Sequence, residues 1–349
     1  NVSIPLYPNE HFYVITEPMK DLPTNLPVLR DYNNCLYLKE DAGKMLVGIF
    51  EPNAKPAFKD TGIVPENFSF GELPDDFDHF EPYLKKSFHR LPMLENAGIR
   101  KFFSGPESFT PDTQYLLGET PEIKNFFTCC GFNSIGIASS GGAGRVTAEW
   151  MINGHINEDL FSVDIKRFQQ FHSSKKFIME RVTETLGDLY GMHWPYKQHK
   201  TSRNQITLPY HEELKKLGAC FGSSGGFERP MWYSLNGAKA EYEYSFGYQN
   251  WYPSAEYETK NTRKNVGLFE LTPFSKFDVA GENVHDELQK LCTANIKDVE
   301  GRSTYTQMLN EDGGIETDVT ITCLTKNHFR IIGPAATREH DKFHIKKYL

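Results

Sequence analysis

A glycine-rich stretch, a histidine and tyrosine on neighbouring strands, and a pair of acids after a turn are the sets in this chain that could do chemistry. The densest is Gly131–Ser140, followed by Gly141-Gly142-Ala143-Gly144 and a helix expected over Arg145–Asn153 that stops at Gly154. Successive glycines let backbone N–H groups approach an anion, and a helix N-terminus adds the positive end of its dipole. The unit fits a dinucleotide or phosphate contact, although Thr147 breaks the G-x-G-x-x-G pattern and no other window matches it. A tight strand–helix turn without a ligand accounts for the same residues equally well. His11 and Tyr37 lie on neighbouring expected strands, where a neutral imidazole and a phenol facing one pocket could orient an amine and accept a proton. A histidine at a strand start is more often a satisfied surface or core residue, and spacing by itself does not select this pair.

Gly105–Asp112 (GPESFTPD) reads either as a structured loop packed under a ligand or as an ordinary Pro/Asp turn. Asn310–Asp318 reads as a turn feeding a strand, with Glu316 and Asp318 on one face. A carboxylate there could hold a protonated ring nitrogen or steer an iminium; a hairpin with solvated acids fits as well. His193 and His199 flank Trp194-Pro195, and His340 and His344 stand at i, i+4, but neither pair has a third ligand at a sensible spacing, so no metal is expected. G-x-S-x-G does not occur, which leaves a Ser-His-Asp hydrolase unsupported.

The elements that must position these residues are legible in outline. His11–Glu17, Cys35–Lys39 and Met45–Phe50 are β-branched and aromatic runs, the last two joined by a hairpin-length loop at Glu40–Lys44. A polar, Pro-dotted stretch covers 52–74. Phe77, Phe80, Leu84, Phe88 and Leu91 then recur at helical spacing behind Asp75, Asp76 and Asp78. A strand is expected at Lys124–Cys130, with Cys129 and Cys130 on opposite sides as core filler. Residues 162–204 read as a basic-polar helical connector. Beyond it come a helix at Tyr210–Leu217, a strand at Lys276–Val279, a helix at Val284–Cys292, and strands at Asp318–Leu324 and His328–Ile332.

Composition narrows the classes. The 349 residues suffice for two domains, and 39% hydrophobic with 24% charged residues excludes a disordered tail or a collagen-like repeat. No run approaches 18 apolar residues, and a net charge of −8 without a basic tract argues against a nucleic-acid groove. Aromatics are abundant, with 26 Phe, 17 Tyr and 4 Trp, which points to a large core or an aromatic-lined pocket. Six cysteines without a CxxC pair read as reduced, buried thiols. Asn1 leads straight into a strand-like segment and Phe343–Leu349 reads as a helix cut short. The chain is therefore expected to be an internal stretch of a longer protein, whose missing targeting signals carry no information.

Taken together, the motifs resemble a known family. Residues 1–158, with HFYVITE, NLPVLRDY, CLYLKED, VGIFEPN, GPESFTPD and GFNSIGIASSGGAGRVTAEWMINGH, resemble the C-terminal part of the flavin domain of dimethylglycine and sarcosine dehydrogenases. Residues 159–204 resemble that family's central linker domain. Residues 205–349, with YHEELKKLGACFGSSGGFERPMWY, NVGLFELTPFSKFDVAG, STYTQMLNEDGGIETDVTI and PAATREHD, are similar to the N-terminal part of the folate-binding domain shared with the aminomethyltransferase (T protein) of the glycine cleavage system. The resemblance implies a mixed α/β and α+β architecture: the C-terminal half of a D-amino-acid-oxidase-like FAD domain, a small linker domain, and the first half of an aminomethyltransferase-like domain.

It also implies a reaction. A small N-methyl amine loses a hydride to the flavin N5, and the resulting iminium passes through an interior cavity to tetrahydrofolate, which captures the carbon as a methylene group. FAD and tetrahydrofolate are the implied cofactors. Gly141, Gly142 and Gly144 would line the flavin, and Gly131, Asn133, Ser134 and Gly136 would close around its ring and ribityl chain. His11 and Tyr37 match the strands that carry a histidine and a tyrosine near the amine, while Leu309 and Asp318 fall on the folate side. Thr317 replaces the first acid of the T protein's Asp-Asp pair. The dinucleotide fingerprint, the flavin-tethering histidine of many relatives and the rear folate half are not in this sequence, so the chain alone is expected not to bind flavin tightly. The resemblance leaves open the methylamine, the electron acceptor (an electron-transfer flavoprotein or oxygen), and whether the compartment is a bacterial cytoplasm or a mitochondrial matrix. A non-catalytic relative, the regulatory subunit of pyruvate dehydrogenase phosphatase, shares the layout; His11, Tyr37 and Asp318 favour the enzyme.

Overall fold

Alternating apolar and polar residues near the start of the chain form β1 (Tyr7–Thr16), β2 (Leu29–Asp31), β3 (Leu36–Asp41) and β4 (Lys44–Ile49) in the computed structural model, which describes residues 2–349. Asp76 caps α1 (Phe77–Arg90), its carboxylate accepting from the His79 N–H. β5 (Ile99–Phe109) completes an antiparallel sheet in the order β2-β3-β4-β1-β5. Phe12, Val14, Leu36, Leu38 and Val47 bury one face of the sheet beneath Phe80 and Leu84 of α1. Tyr7, Tyr37, Phe50 and Phe109 lie on the other side. Gly105–Phe109 are therefore strand rather than loop. β5 pairs with β1 alone, and an edge strand tolerates Pro106 because an unpaired side needs no N–H.

β6 (Leu116–Glu119) and β7 (Phe127–Cys130) pair antiparallel and lead into α2 (Gly136–Asn153), which ends on Gly154 at φ 77°. The expected bend at Gly141–Gly144 does not form: α2 starts earlier, at Gly136, and Gly141, Gly142 and Gly144 lie inside it. A glycine in a helix costs about 1 kcal/mol relative to alanine. Packing of Ala143 and Val146 on Leu117 and Val163 offsets that cost. Cys129 is exposed and Cys130 half-buried, so this pair does not fill a core; Cys35, Cys220, Cys292 and Cys323 are buried and all six are free thiols.

The expected helical connector contracts to α3 (Lys175–Gly187), flanked by short 3-10 turns and irregular backbone. Phe168 and Phe171 pack on His172 at those turns instead of extending the helix. Ile178, Val182 and Leu186 of α3 cover the sheet's second face at Tyr7, Phe50 and Phe109.

The last part opens with β8 (Ile206–Thr207), α4 (His211–Lys216), β9 (Ala219–Ser224) and β10 (Phe227–Tyr233), the strands ordered β8-β10-β9, and continues into α5 (Tyr252–Lys264). β11 (Ser275–Ala280), α6 (Val284–Leu291), β12 (Ser303–Leu309), β13 (Ile315–Thr325), β14 (His328–Gly333) and α7 (Arg338–Tyr348) follow. These strands form an antiparallel sheet in the order β11-β14-β13-β12. One face, with Met308, Val319, Ile321, Phe329 and Ile331, packs on Leu288 of α6 and Ile345 of α7. β12 and α5 were not expected from sequence. Among the described residues no helix is long and apolar enough to cross a membrane, and no three His, Cys, Asp or Glu side chains gather as a metal site.

Candidate active site

Sheet register brings His11 and Tyr37 together. Gly48 of β4 stands opposite both Tyr37 of β3 and Tyr13 of β1. A Cβ at position 48 would lie 2.0 Å from Tyr37 Cζ, so only glycine lets the phenol ring lie across β4. Its hydroxyl then sits 2.7 Å from His11 Nε2. Phe50 packs on the imidazole with ring centroids 4.8 Å apart, and Tyr190 packs on Phe50 at 5.0 Å. Burial among these rings lowers the His11 pKa to about 4, so the imidazole is neutral at pH 7. Burial, with the Glu107 carboxylate nearby, pushes the Tyr37 phenol well above its ordinary value, so it keeps its proton.

Glu107, on β5, approaches the same imidazole from the other side. Its Oε2 is 3.8 Å from His11 Nδ1 and accepts a 2.5 Å hydrogen bond from Ser134 Oγ. Burial raises its pKa, opposed by the Ser134 bond. In the sequence Glu107 is only one letter of GPESFTPD. Its placement follows from the β1–β5 register, which spacing along the chain does not reveal.

The turn before α2 holds the other expected residues. Gly131 adopts φ 68°, and a Cβ there would lie 2.9 Å from Thr110 Cγ2. Asn133 is buried; its Oδ1 accepts from the Thr110 N–H at 2.9 Å and its Nδ2 donates to the Gly131 carbonyl at 2.6 Å. Its side chain therefore locks the turn and offers nothing outward. Arg167 anchors the strand-to-turn segment by donating to both Asp112 oxygens, from Nε at 2.7 Å and Nη2 at 3.0 Å. Asn133 and Ser134 have φ of 49° and 65°, uncommon for residues with a Cβ. At Gly136, α2 begins without a side-chain cap, which leaves its first-turn N–H groups unpaired within the helix. Along that helix a Cβ on Gly141, Gly142 or Gly144 would meet nothing within 4 Å.

The carboxylates of the last part separate. Asp318 is exposed and accepts from Tyr305 Oη at 3.0 Å. Leu309 is half-buried at the hairpin end, opposite Ile315 beyond a register shift. Glu316 instead meets His340 Nε2 at 3.0 Å and faces a cavity of about 550 Å³, whose walls include Trp150, Phe161 and Lys166 of the earlier parts. Burial pulls the His340 pKa down, but the Asp341 and Glu316 carboxylates win and raise it to about 9. Thr317 is buried and donates to Asp341 at 3.3 Å. Glu316 and Asp318 thus act apart, and His340, which spacing paired with His344 as a weak metal candidate, is an ion-pair partner.

Three family models match in succession: FAD dependent oxidoreductase over residues 1–150, FAD dependent oxidoreductase central domain over 153–207, and GCVT N-terminal domain over 210–349. The chain therefore combines an FAD-dependent-oxidoreductase-type region, its central domain and a GCVT-type domain, in that order. It is 39% identical to 4-methylaminobutanoate oxidase (formaldehyde-forming) of Paenarthrobacter nicotinovorans over 99% of this chain and 42% of that protein. It is 34% identical to the mitochondrial pyruvate dehydrogenase phosphatase regulatory subunit of Mus musculus, over 100% of this chain and 40% of that protein. Mitochondrial sarcosine dehydrogenase of Homo sapiens is 32% identical over 94% of this chain and 38% of its own length. The chain spans about two-fifths of the length of these relatives.

Proposed function

We propose that this chain supplies the amine-binding wall and part of the flavin cradle of an FAD-dependent enzyme that oxidatively demethylates a small N-methyl amino acid, and part of the tetrahydrofolate site that takes up the one-carbon unit. The observation that carries this reading is the 2.7 Å His11–Tyr37 pair, half-buried against aromatic rings and facing the strand that meets the α2 turn. Two relatives' names carry small methylated amino acids, 4-methylaminobutanoate and sarcosine.

The residues present fit a flavin. The uncapped first turn of α2 offers N–H donors, and the open glycine side of the helix leaves room for a flat group to lie close. A bound flavin supplies the two-electron acceptor for oxidation of the C–H bond next to nitrogen. The chain's own part is positioning. At pH 7 His11 is neutral and Tyr37 protonated, so the pair brings no charge into the pocket and suits an amine freed of its extra proton. The two share a 2.7 Å hydrogen bond, and with the imidazole protonated on Nδ1 the Tyr37 hydroxyl donates to Nε2 and keeps a lone pair for an amine N–H. Phe50 and Tyr190 keep water off that contact. On the folate side, Asp318 presents an exposed carboxylate next to Tyr305, and Leu309 an apolar contact. An electron-transfer flavoprotein or oxygen takes the electrons onward, and free thiols suit a bacterial cytoplasm or mitochondrial matrix.

Replacing His11 and Tyr37 together by Phe in the full polypeptide that carries this sequence should slow amine-dependent flavin reduction by orders of magnitude, measured by stopped-flow absorbance. Unchanged rates would remove the pair from the reaction. The reading as a non-catalytic regulatory relative predicts no flavin reduction by any methylamine, and retention of the His11–Tyr37 pair speaks against it.

A further inference from the structure

We propose that Glu107 is a positioning residue that fixes which His11 nitrogen carries the proton and ties the amine pocket to the turn that opens α2. This rests on the amine-site reading above. His11 lies opposite Gly105 in the β1–β5 register, and Glu107 lies opposite Asn9, two residues along each strand. Residues two apart share a face, so Glu107 stands diagonal to His11 on the sheet, beside Gly105, whose missing side chain leaves room for the Phe103 ring. Its Oε2 is 3.8 Å from His11 Nδ1, and among the described residues no Lys or Arg pairs with it. The same oxygen accepts from Ser134 Oγ at 2.5 Å. Ser134 holds φ at 65°, a conformation a serine adopts only when neighbours impose it, so the bond serves the turn as well as the carboxylate.

The chemistry follows from the order of partners: Tyr37 Oη, His11 Nε2, His11 Nδ1, Glu107, Ser134. A carboxylate facing Nδ1 favours the Nδ1–H tautomer of a neutral imidazole. Nε2 then has only a lone pair, so at 2.7 Å the Tyr37 hydroxyl must donate to it. The free lone pair of the Tyr37 oxygen is what the pocket shows to an amine. Without the carboxylate the Nε2–H tautomer becomes accessible, the bond reverses, and the phenol hydrogen turns toward the pocket. The amine then meets a donor where it had met an acceptor. Glu107 touches neither amine nor flavin in this account; it acts through His11.

The test uses the full polypeptide that carries this sequence, labelled with 15N, with His11 read by long-range 1H–15N correlation. A protonated Nδ1 and a bare Nε2 are expected in the unsubstituted protein. E107Q keeps the volume and an oxygen for Ser134 but removes the charge, and it should give a mixed or inverted tautomer. It should also lower the limiting rate of amine-dependent flavin reduction by about 10- to 100-fold, with a much smaller change in KM. An Nε2–H imidazole in the unsubstituted protein, or an unchanged pattern in E107Q, overturns the proposal. Should E107Q not fold, E107A, which removes the carboxylate altogether, is expected to shift the pattern the same way, and an unchanged pattern there is equally fatal. A protein that reduces flavin with no methylamine, yet shows the expected tautomers, would sink the amine reading alone.

Discussion

Gly48 is the position where a single added carbon should take the candidate site apart. Its φ is not in the left-handed region, so alanine costs the backbone nothing there and even suits a strand better. The whole penalty comes from the Tyr37 ring, whose Cζ and Oη would lie 2.0 and 2.2 Å from the new Cβ. The ring has to leave its place across β4. Overpacking of a filled site costs about 1–3 kcal/mol. Losing the Tyr37 hydroxyl also strands a buried His11 Nε2, a penalty of about 1–3 kcal/mol. The two overlap, because one movement causes both, so a loss of about 2–4 kcal/mol is expected for Gly48→Ala in urea titrations. Wetting the imidazole should also lift its titration from about 4 toward the ordinary value, which NMR reads directly. Gly43→Ala is the control. Gly43 has φ 75° in open space at the β3–β4 turn, so alanine there should cost about 1–2 kcal/mol of strain and leave the His11 titration alone. A Gly48→Ala protein with undiminished stability and an unmoved His11 would refute the placement of Tyr37.

Stability should fall on both sides of about pH 6.5. Burial holds His11 and His172 near pKa 4 when folded, so the unfolded chain binds more protons below 6.5, and each costs about 3 kcal/mol of stability as pH falls from 6.5 through 4. His340 behaves oppositely: its carboxylate partners raise it to about 9, so about 3 kcal/mol is present below pH 6.5 and is lost as pH rises from 6.5 through 9. Thermal melts from pH 4 to 9 check both limbs, and His340→Gln should flatten the alkaline one only. Asn133→Ala should cost about 1–3 kcal/mol by leaving the buried Thr110 N–H without a partner, and should speed amide exchange at Thr110.

What the sequence disclosed is what alternation and capping encode. β3, β4 and α1 stand where their apolar spacing puts them, and β1 begins four residues earlier than its expected start at His11, because one face of each is buried in a single core. β12 escaped notice because its outward residues, Tyr305 and Gln307, are as bulky as its buried Thr306 and Met308. α5 escaped because it buries little beyond Ser254 and so has no apolar stripe to read. The run at 141–144 misled because local glycine preference points to a bend, whereas Ala143 and Val146 dock the segment as a helix. Of the site, His11 and Tyr37 became a pair only through resemblance; the glycine between them and the carboxylate behind them depend on register, which no stretch of sequence states by itself.

The low basicity of His11 also assigns a role to the central segment. A sheet with one face under α1 has its other face bare unless something covers it, and α3 does so with Ile178, Val182 and Leu186. The fit is close enough that a Cβ on Gly187 would lie 2.3 Å from the Pro52 carbonyl oxygen. Tyr190, just beyond α3, packs on Phe50, which in turn packs on His11. Thr185 ties the same helix to the Thr110 carbonyl at 3.3 Å, next to the Asn133 contact that sets the α2 turn. The segment matched as a central domain thus covers the ring stack on His11 as well as acting as a connector. Desolvation sets the imidazole's protonation state, and two rings stacked over it maintain that desolvation, so the His11 protonation state in the first part depends on packing contributed by the second.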